Sequence, residues 1–406
     1  MWRYKIQDDE KALAPLYFSV FVAVLGFSLV APIFPLYIID LGASYTLLGI
    51  IVSVYGAVQL VTQIPIGRLS DRIGRKGLIL LGLVSFTIMP PLYIYATSAY
   101  LLIPIRMIGG LGASAVWPLA MALIVEQADS RSRGAAMGWY NASFYSALAL
   151  GPLIGGMLYD LFGLEAPFYF WALMGLASVL IVLIKVKEPK EREVSSGNAL
   201  IGLKGGPKEA LIQPGYVTTF MACCGVVLWM GIVGGFNFTM LPSYASTIGL
   251  STMEVGLLYL VYGGTMAVSN VYFGRQADRG KRKRLIIISC LLGTISFALL
   301  IFAGGLLQAL ILLAALGLGM GVGNPAAAAL IADTTCADRR GEIFGIFNTA
   351  RMTGVVIGPL IAGLTADMYG ITGCMFAFTA IAILITLNTM LVREPATNDS
   401  AVCSRA

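Results

Sequence analysis

The chain has 406 residues, 58% of them hydrophobic and only 12% charged, with a mean hydropathy of +0.84. That composition excludes an ordinary soluble domain. It predicts an all-α membrane protein, because apolar runs of about 20 residues match a bilayer-spanning helix and are too long for barrel strands. A formal net charge of +6 would suit a nucleic-acid partner, but the placement of the basic residues assigns it to membrane orientation instead, and no nucleic-acid partner is expected.

The N-terminus, MWRYKIQDDEKALAP, is charged, and the first apolar run is of full span length, so it reads as a retained helix rather than a cleaved signal. Twelve candidate spans follow in order, near 15–38, 46–66, 78–97, 101–126, 134–158, 166–186, 215–241, 252–273, 285–304, 307–332, 342–366 and 372–392. The basic stretch GRLSDRIGRKG, residues 67–77, reads as the loop after the second span, and GRQADRGKRKR, residues 274–284, as the loop after the eighth. The polar segment 188–212 joins a six-helix half, 1–187, to a second, 213–406. Of the 27 Lys and Arg residues, all but Arg106 and Arg351 fall before the first span or after an even-numbered one. The positive-inside rule then places both termini and the central linker in the cytoplasm. The six cysteines show no disulfide framework and read as small buried thiols.

Shifted by 207 residues, the chain meets itself. Pro35 meets Pro242, Tyr55–Gly56 meets Tyr262–Gly263, and Gly67–Arg68 meets Gly274–Arg275. Asp71–Arg72 meets Asp278–Arg279, Glu126 meets Asp333, Gly151–Pro152 meets Gly358–Pro359, and Asp160 meets Asp367. One constant offset across five helices predicts two parallel six-helix halves. With these motifs in place, the chain resembles the major facilitator superfamily of transporters over essentially its whole length. GRLSDRIGRK resembles the family's motif A, Arg106–Ala113 its motif B, and ALALGPLIGG, 147–156, the motif C of drug–proton antiporters. The match is incomplete, with Ala147 standing for a motif-C glycine and Ala362 for a later one in the second half.

Gly151 and Gly155 lie on one helical face with Ala147, and Gly354 and Gly358 repeat the row with Ala362. Rows of small residues allow close helix approach. Together with Gly156 and the bending prolines Pro152 and Pro359, they read either as a seam between the halves or as ordinary tight packing. Arg106 and Arg351 are the charges well inside spans, and such residues normally face a cavity or a partner. Arg106 shares a helical face with Gly110, Ala113 and Trp117. Trp117, Asn141, Asn237, Asn324 and Asn348 complete a candidate substrate path, although any single one of them is more readily read as packing. No Asp or Glu falls mid-span and there is no His, a departure from the carboxylate usual in proton-coupled exporters of the family.

The resemblance implies that Asp71 latches the halves by meeting the N-terminus of the eleventh helix, near Gly341–Glu342, an end whose dipole attracts an anion. Gly67, Arg72, Arg75 and Glu126 belong to that gating group, Glu126 pairing with Arg72 or Arg75. Gly274 and Asp278 form a weaker second copy, in which Lys281 replaces Gly74. GGLGASA, 109–115, echoes a dinucleotide loop but lies within a span and follows no strand. No catalytic, metal or cofactor constellation is present, so no enzyme activity, metal or cofactor is expected.

The favoured function is a secondary active transporter in the plasma membrane that exports small amphiphilic compounds by alternating access. A monomer is expected, with the lipid bilayer and a small molecule as partners and protons as the candidate coupling ion. The alternatives are an organic-anion carrier using Arg106 and Arg351, and a non-transport protein on the same fold.

Overall fold

The computed structural model describes residues 2–128, 132–186, 212, 215–277, 280, 282–335 and 339–394, with the backbone alone for 2–12. The linker 188–212 apart from Ile212, and Asp278, lie outside the described residues. Among the described residues thirteen α-helices run in order: α1 (Trp2–Leu29), α2 (Phe34–Asp40), α3 (Tyr45–Ile73), α4 (Arg75–Ile94), α5 (Leu102–Gln127), α6 (Arg133–Phe162) and α7 (Glu165–Lys185). They continue as α8 (Val217–Thr239), α9 (Leu241–Thr247), α10 (Thr252–Ala277), α11 (Arg282–Leu300), α12 (Leu306–Thr334) and α13 (Arg340–Thr389). No strand occurs among the described residues.

Ten helices are long and apolar enough to cross a membrane, and the bent pair Leu13–Leu29 with Phe34–Asp40 makes an eleventh. A twelfth comes from α13, whose 50 residues leave helical geometry at Gly370, with φ 73°. The second piece is about 19 residues, roughly 28 Å, which suffices for a bilayer core. Each sequence half thus supplies six spans.

Three elements depart from the sequence expectation. The first span is broken in two, with Pro35 in the first turn of α2, and a short helix, α9, with Pro242 in its first turn follows the seventh. A proline has no N–H to continue the hydrogen-bond ladder, so it starts a new helix more readily than it extends one. The stretch 67–77 is not a loop. Helix α3 carries Gly67, Arg68, Asp71 and Arg72 to its end at Ile73, and Gly74 alone turns the chain, with φ 111°, before α4 begins at Arg75. In the second half, α10 likewise carries Gly274 and Arg275. There the positive-φ position is Gly280, at 92°, one place earlier in the repeat than Gly74. The turn glycine is therefore shifted by one residue rather than lost to Lys281.

Two units pack as separate bodies: Met1–Glu193 with Phe238–Leu260, and Val194–Asn237 with Val261–Ala406. The segment 238–260 thus groups with the first unit although it belongs to the second sequence half. Glycines bring the helices of each unit together. In the first, a methyl group at Gly110 would lie 2.6 Å from Tyr55 O, and one at Gly155 would overlap Leu29 O. In the second, methyls at Gly317 and Gly354 would overlap Tyr262 O and Leu228 O. Gly110–Tyr55 and Gly317–Tyr262 are repeat mates, so one α3–α5 crossing recurs as α10–α12.

Candidate functional site

The charged ends of the helices come first. Arg75 Nη2 lies 2.7 Å from Glu126 Oε1, across from α4 to the end of α5, and 3.5 Å from Asp71 Oδ1 one turn earlier in the chain. Arg75 is mostly buried, whereas the Asp71 side chain is 69% exposed. Of the two partners expected for Glu126, Arg75 is one that it meets. The repeat mates of Arg75 and Glu126 are Arg282 and Asp333, and these form an ion pair of their own. Arg282 also donates through Nε to Ala277 O at 3.0 Å. Sequence reasoning matched Glu126 with Asp333 but overlooked Arg75 with Arg282, although both stand at the same offset.

Each glycine row packs on a helix of its own sequence half. Gly151 and Gly155 pack on Leu25–Leu29 of α1, where Ser28 Oγ donates to Ala147 O at 3.0 Å. Gly354 and Gly358 pack on Leu228–Ile232 of α8, a methyl at Gly358 lying 2.7 Å from Ile232 O. Both rows therefore tie helices of one sequence half. The physical reason is that a four-residue spacing of small side chains exposes backbone on a single face, and α1 and α8 fill it. Gly156 and Pro152, turned to another face of α6, meet the start of α10. A methyl at Gly156 would lie 2.7 Å from Met253 Cα, and Pro152 O closes on Gly256. Asp160 Oδ2 accepts the Met253 N–H at 3.0 Å there, an N-terminal cap supplied from a different helix. Pro152 and Pro359 sit inside helices α6 and α13, and the non-helical residue of α13 is Gly370.

Arg106 and Arg351 differ sharply. Arg351, about twelve residues into α13, donates to Asn348 Oδ1 at 3.0 Å. Arg106 lies in the second turn of α5, about 6 Å from its start, and is 6% exposed. Its guanidinium sits 3.8 Å from the centroid of Phe34, 5.6 Å from Tyr55 and 5.8 Å from Tyr93. Nε of Arg106 and the hydroxyls of Tyr55 and Tyr93 make no hydrogen bond. Gly109 and Gly110 let α5 approach Tyr55, and Tyr37 OH donates to Tyr93 O at 2.5 Å, fastening α2 to the end of α4. Rings continue inward from this cluster. Tyr55 stacks on Phe27 at 5.0 Å, Phe27 meets Trp117 at 6.0 Å, and Trp117 meets Phe144 at 5.8 Å.

The remaining path residues are scattered. Asn141 and Asn348 are exposed, Asn324 is half-buried and Asn237 is buried. A cavity of about 10 Å³ in the second unit, lined by Val226, Trp229, Met230, Ser289, Cys290 and Met320, touches none of them. Among the described residues every carboxylate of the spans stands near a helix end or break: Asp40, Asp71, Glu126, Asp160, Glu165, Glu254, Asp333, Glu342 and Asp367.

A sequence model of the Major Facilitator Superfamily matches residues 16–259 and 221–402. The chain belongs to that superfamily. It is 26% identical over 383 residues to an uncharacterized MFS-type transporter of Methanocaldococcus jannaschii, covering 93% of this chain and 96% of the relative. It is 27% identical over 363 residues to the quinolone resistance protein NorA of Staphylococcus aureus, covering 88% and 91%. In fold it resembles a bacterial homolog of the human lysosomal transporter Spinster, with a TM-score of 0.79 at 14% identity, covering 96% of this superfamily member and 99% of the other chain. The chain is thus an integral membrane protein of a transporter superfamily.

Proposed function

We propose that this chain is a secondary active transporter that exports small amphiphilic compounds from the cytoplasm, with both termini on the cytoplasmic side of the plasma membrane. The observation that carries the reading is the near full-length similarity to a quinolone resistance protein. The ring series from Tyr55 through Phe27 and Trp117 to Phe144 agrees with it, since small-molecule sites are largely apolar with a few polar groups. Alternating access needs ends that open and close, and the Asp71–Arg75–Glu126 network is the candidate inner latch. Protons are the candidate coupling ion. With carboxylates confined to helix ends and breaks among the described residues, a coupling site of the usual acidic kind belongs there rather than mid-span.

The organic-anion reading keeps one of its two arginines. Arg106 is buried with no carboxylate beside it among the described residues, whereas Arg351 is engaged by Asn348. Reconstituted proteoliposomes separate the readings. Saturable, gradient-dependent flux of amphiphilic dyes supports export. Flux confined to small organic anions favours the carrier, and no flux of any compound favours a non-transport protein on this fold.

A further inference from the structure

The 207-residue repeat provides an internal control for the cluster around Arg106. At the repeat positions, Phe34, Tyr93 and Arg106 are replaced by Leu241, Leu300 and Leu313, each no more than 1% exposed. Tyr55 alone is kept, as Tyr262. Each of these positions is therefore buried in the repeat with an apolar side chain and no charge. The first unit instead buries a guanidinium, and burying a charge without a partner is costly. Ring faces offset part of that cost, since a cation is attracted to the face of an aromatic ring. They accept none of its N–H groups in ordinary hydrogen bonds, and Nε is left without an acceptor. Two phenol hydroxyls, on Tyr55 and Tyr93, stand without partners beside the same guanidinium. All three groups can donate to one acceptor that carries negative charge.

We infer that Arg106, with the hydroxyls of Tyr55 and Tyr93, is a binding site for the carboxylate of an aromatic cargo. The rings of Phe27, Trp117 and Phe144 take the cargo's apolar body. Phe34 closes the site: it lies on α2, the seven-residue piece beyond the break in the first span, and covers the guanidinium at 3.8 Å. Displacing that ring exchanges a cation–π contact for a charge-assisted hydrogen bond, the stronger of the two for a guanidinium. The inference rests on the transporter reading and narrows its cargo to amphiphiles bearing an acidic group, including zwitterions.

The test compares 1-naphthoate with its methyl ester, by calorimetric titration of the purified full chain in chloride-free methanesulfonate buffer. The native chain should bind the acid at least about tenfold more tightly than the ester, a difference of about 1.4 kcal/mol. Arg106→Leu copies the side chain at the repeat position, so it should fold with an unchanged or higher Tm and lose the acid preference. Tyr55→Phe and Tyr93→Phe should each lower acid affinity several-fold and leave ester affinity alone, and Arg351→Gln should keep the preference. Equal binding of acid and ester, no binding of the acid, or a preference that survives Arg106→Leu would each overturn the inference. So would chloride alone competing fully at millimolar concentration, since the site would then hold an inorganic anion. Failure of the export reading is distinct from all of these: it is absent flux in proteoliposomes with the acid preference intact.

Discussion

Asp71 and Arg75 lie on one helical turn and share an ion pair, yet they present themselves differently. Arg75 is held by Glu126, while the Asp71 carboxylate remains 69% exposed at 3.5 Å from Arg75. An anion held that loosely is free to exchange partners, as a latch requires. Asp71→Asn should lower transport by about tenfold or more while ligand affinity of the purified protein changes less than about twofold; equal loss of binding and flux would make Asp71 part of the ligand site. Glu126 is 46% exposed, so the Arg75–Glu126 coupling in a double-mutant cycle of thermal unfolding should stay below about 1 kcal/mol. A larger value would mean that the pair holds the unit together rather than adjusting it. At this scale much was legible. The offset of 207 predicted which acids correspond, and Glu126 was assigned to the basic stretch before its geometry was known. Arg282 escaped notice because it sits in a run of basic residues where charge counting sees only topology. The rings around Arg106 escaped because Phe34, Tyr55 and Tyr93 are far apart in sequence and their meeting depends on the break in the first span.

At the scale of whole helices, hydropathy reports where lipid contact stops, and hydrogen bonding continues past that point. This is why α3 runs seven residues beyond its predicted end, carrying the charged stretch as helix. Gly67 therefore stands inside a helix, and an added methyl there would meet nothing within 4 Å. Gly67→Ala should raise thermal stability by up to about 1 kcal/mol. A loss of transport with that gain would assign the glycine to gating, and a loss of stability would contradict the geometry. Gly74 is the opposite case, since φ 111° with ψ 157° is a conformation open essentially to glycine alone. Gly74→Ala should cost about 1–3 kcal/mol by thermal unfolding. For the glycine rows, spacing along one helix says which face is small and nothing about which neighbour covers it.

The whole molecule repeats itself in contacts as well as in sequence. Gly110 against Tyr55 O has its counterpart in Gly317 against Tyr262 O, and Arg75–Glu126 in Arg282–Asp333. Twelve spans and two halves were readable from periodic apolarity and the offset, whereas the membership of 238–260 in the first unit was not. The orientation proposed from basic residues is checked directly: green fluorescent protein fused after Ala406 should fluoresce, and alkaline phosphatase fused at the same place should be inactive. The reverse pattern would invert the molecule and the direction assigned to export. The crowding at Gly110, Gly155, Gly317 and Gly354 also shapes how such a protein can change over generations. Every amino-acid replacement that a single base change makes in a glycine codon adds a side chain, and at these positions the added atom meets a backbone carbonyl that cannot step aside. If the binding-site inference holds, inheritable variation in cargo preference is channelled away from the glycine scaffold and toward side chains such as Phe34, Tyr93 and Trp117.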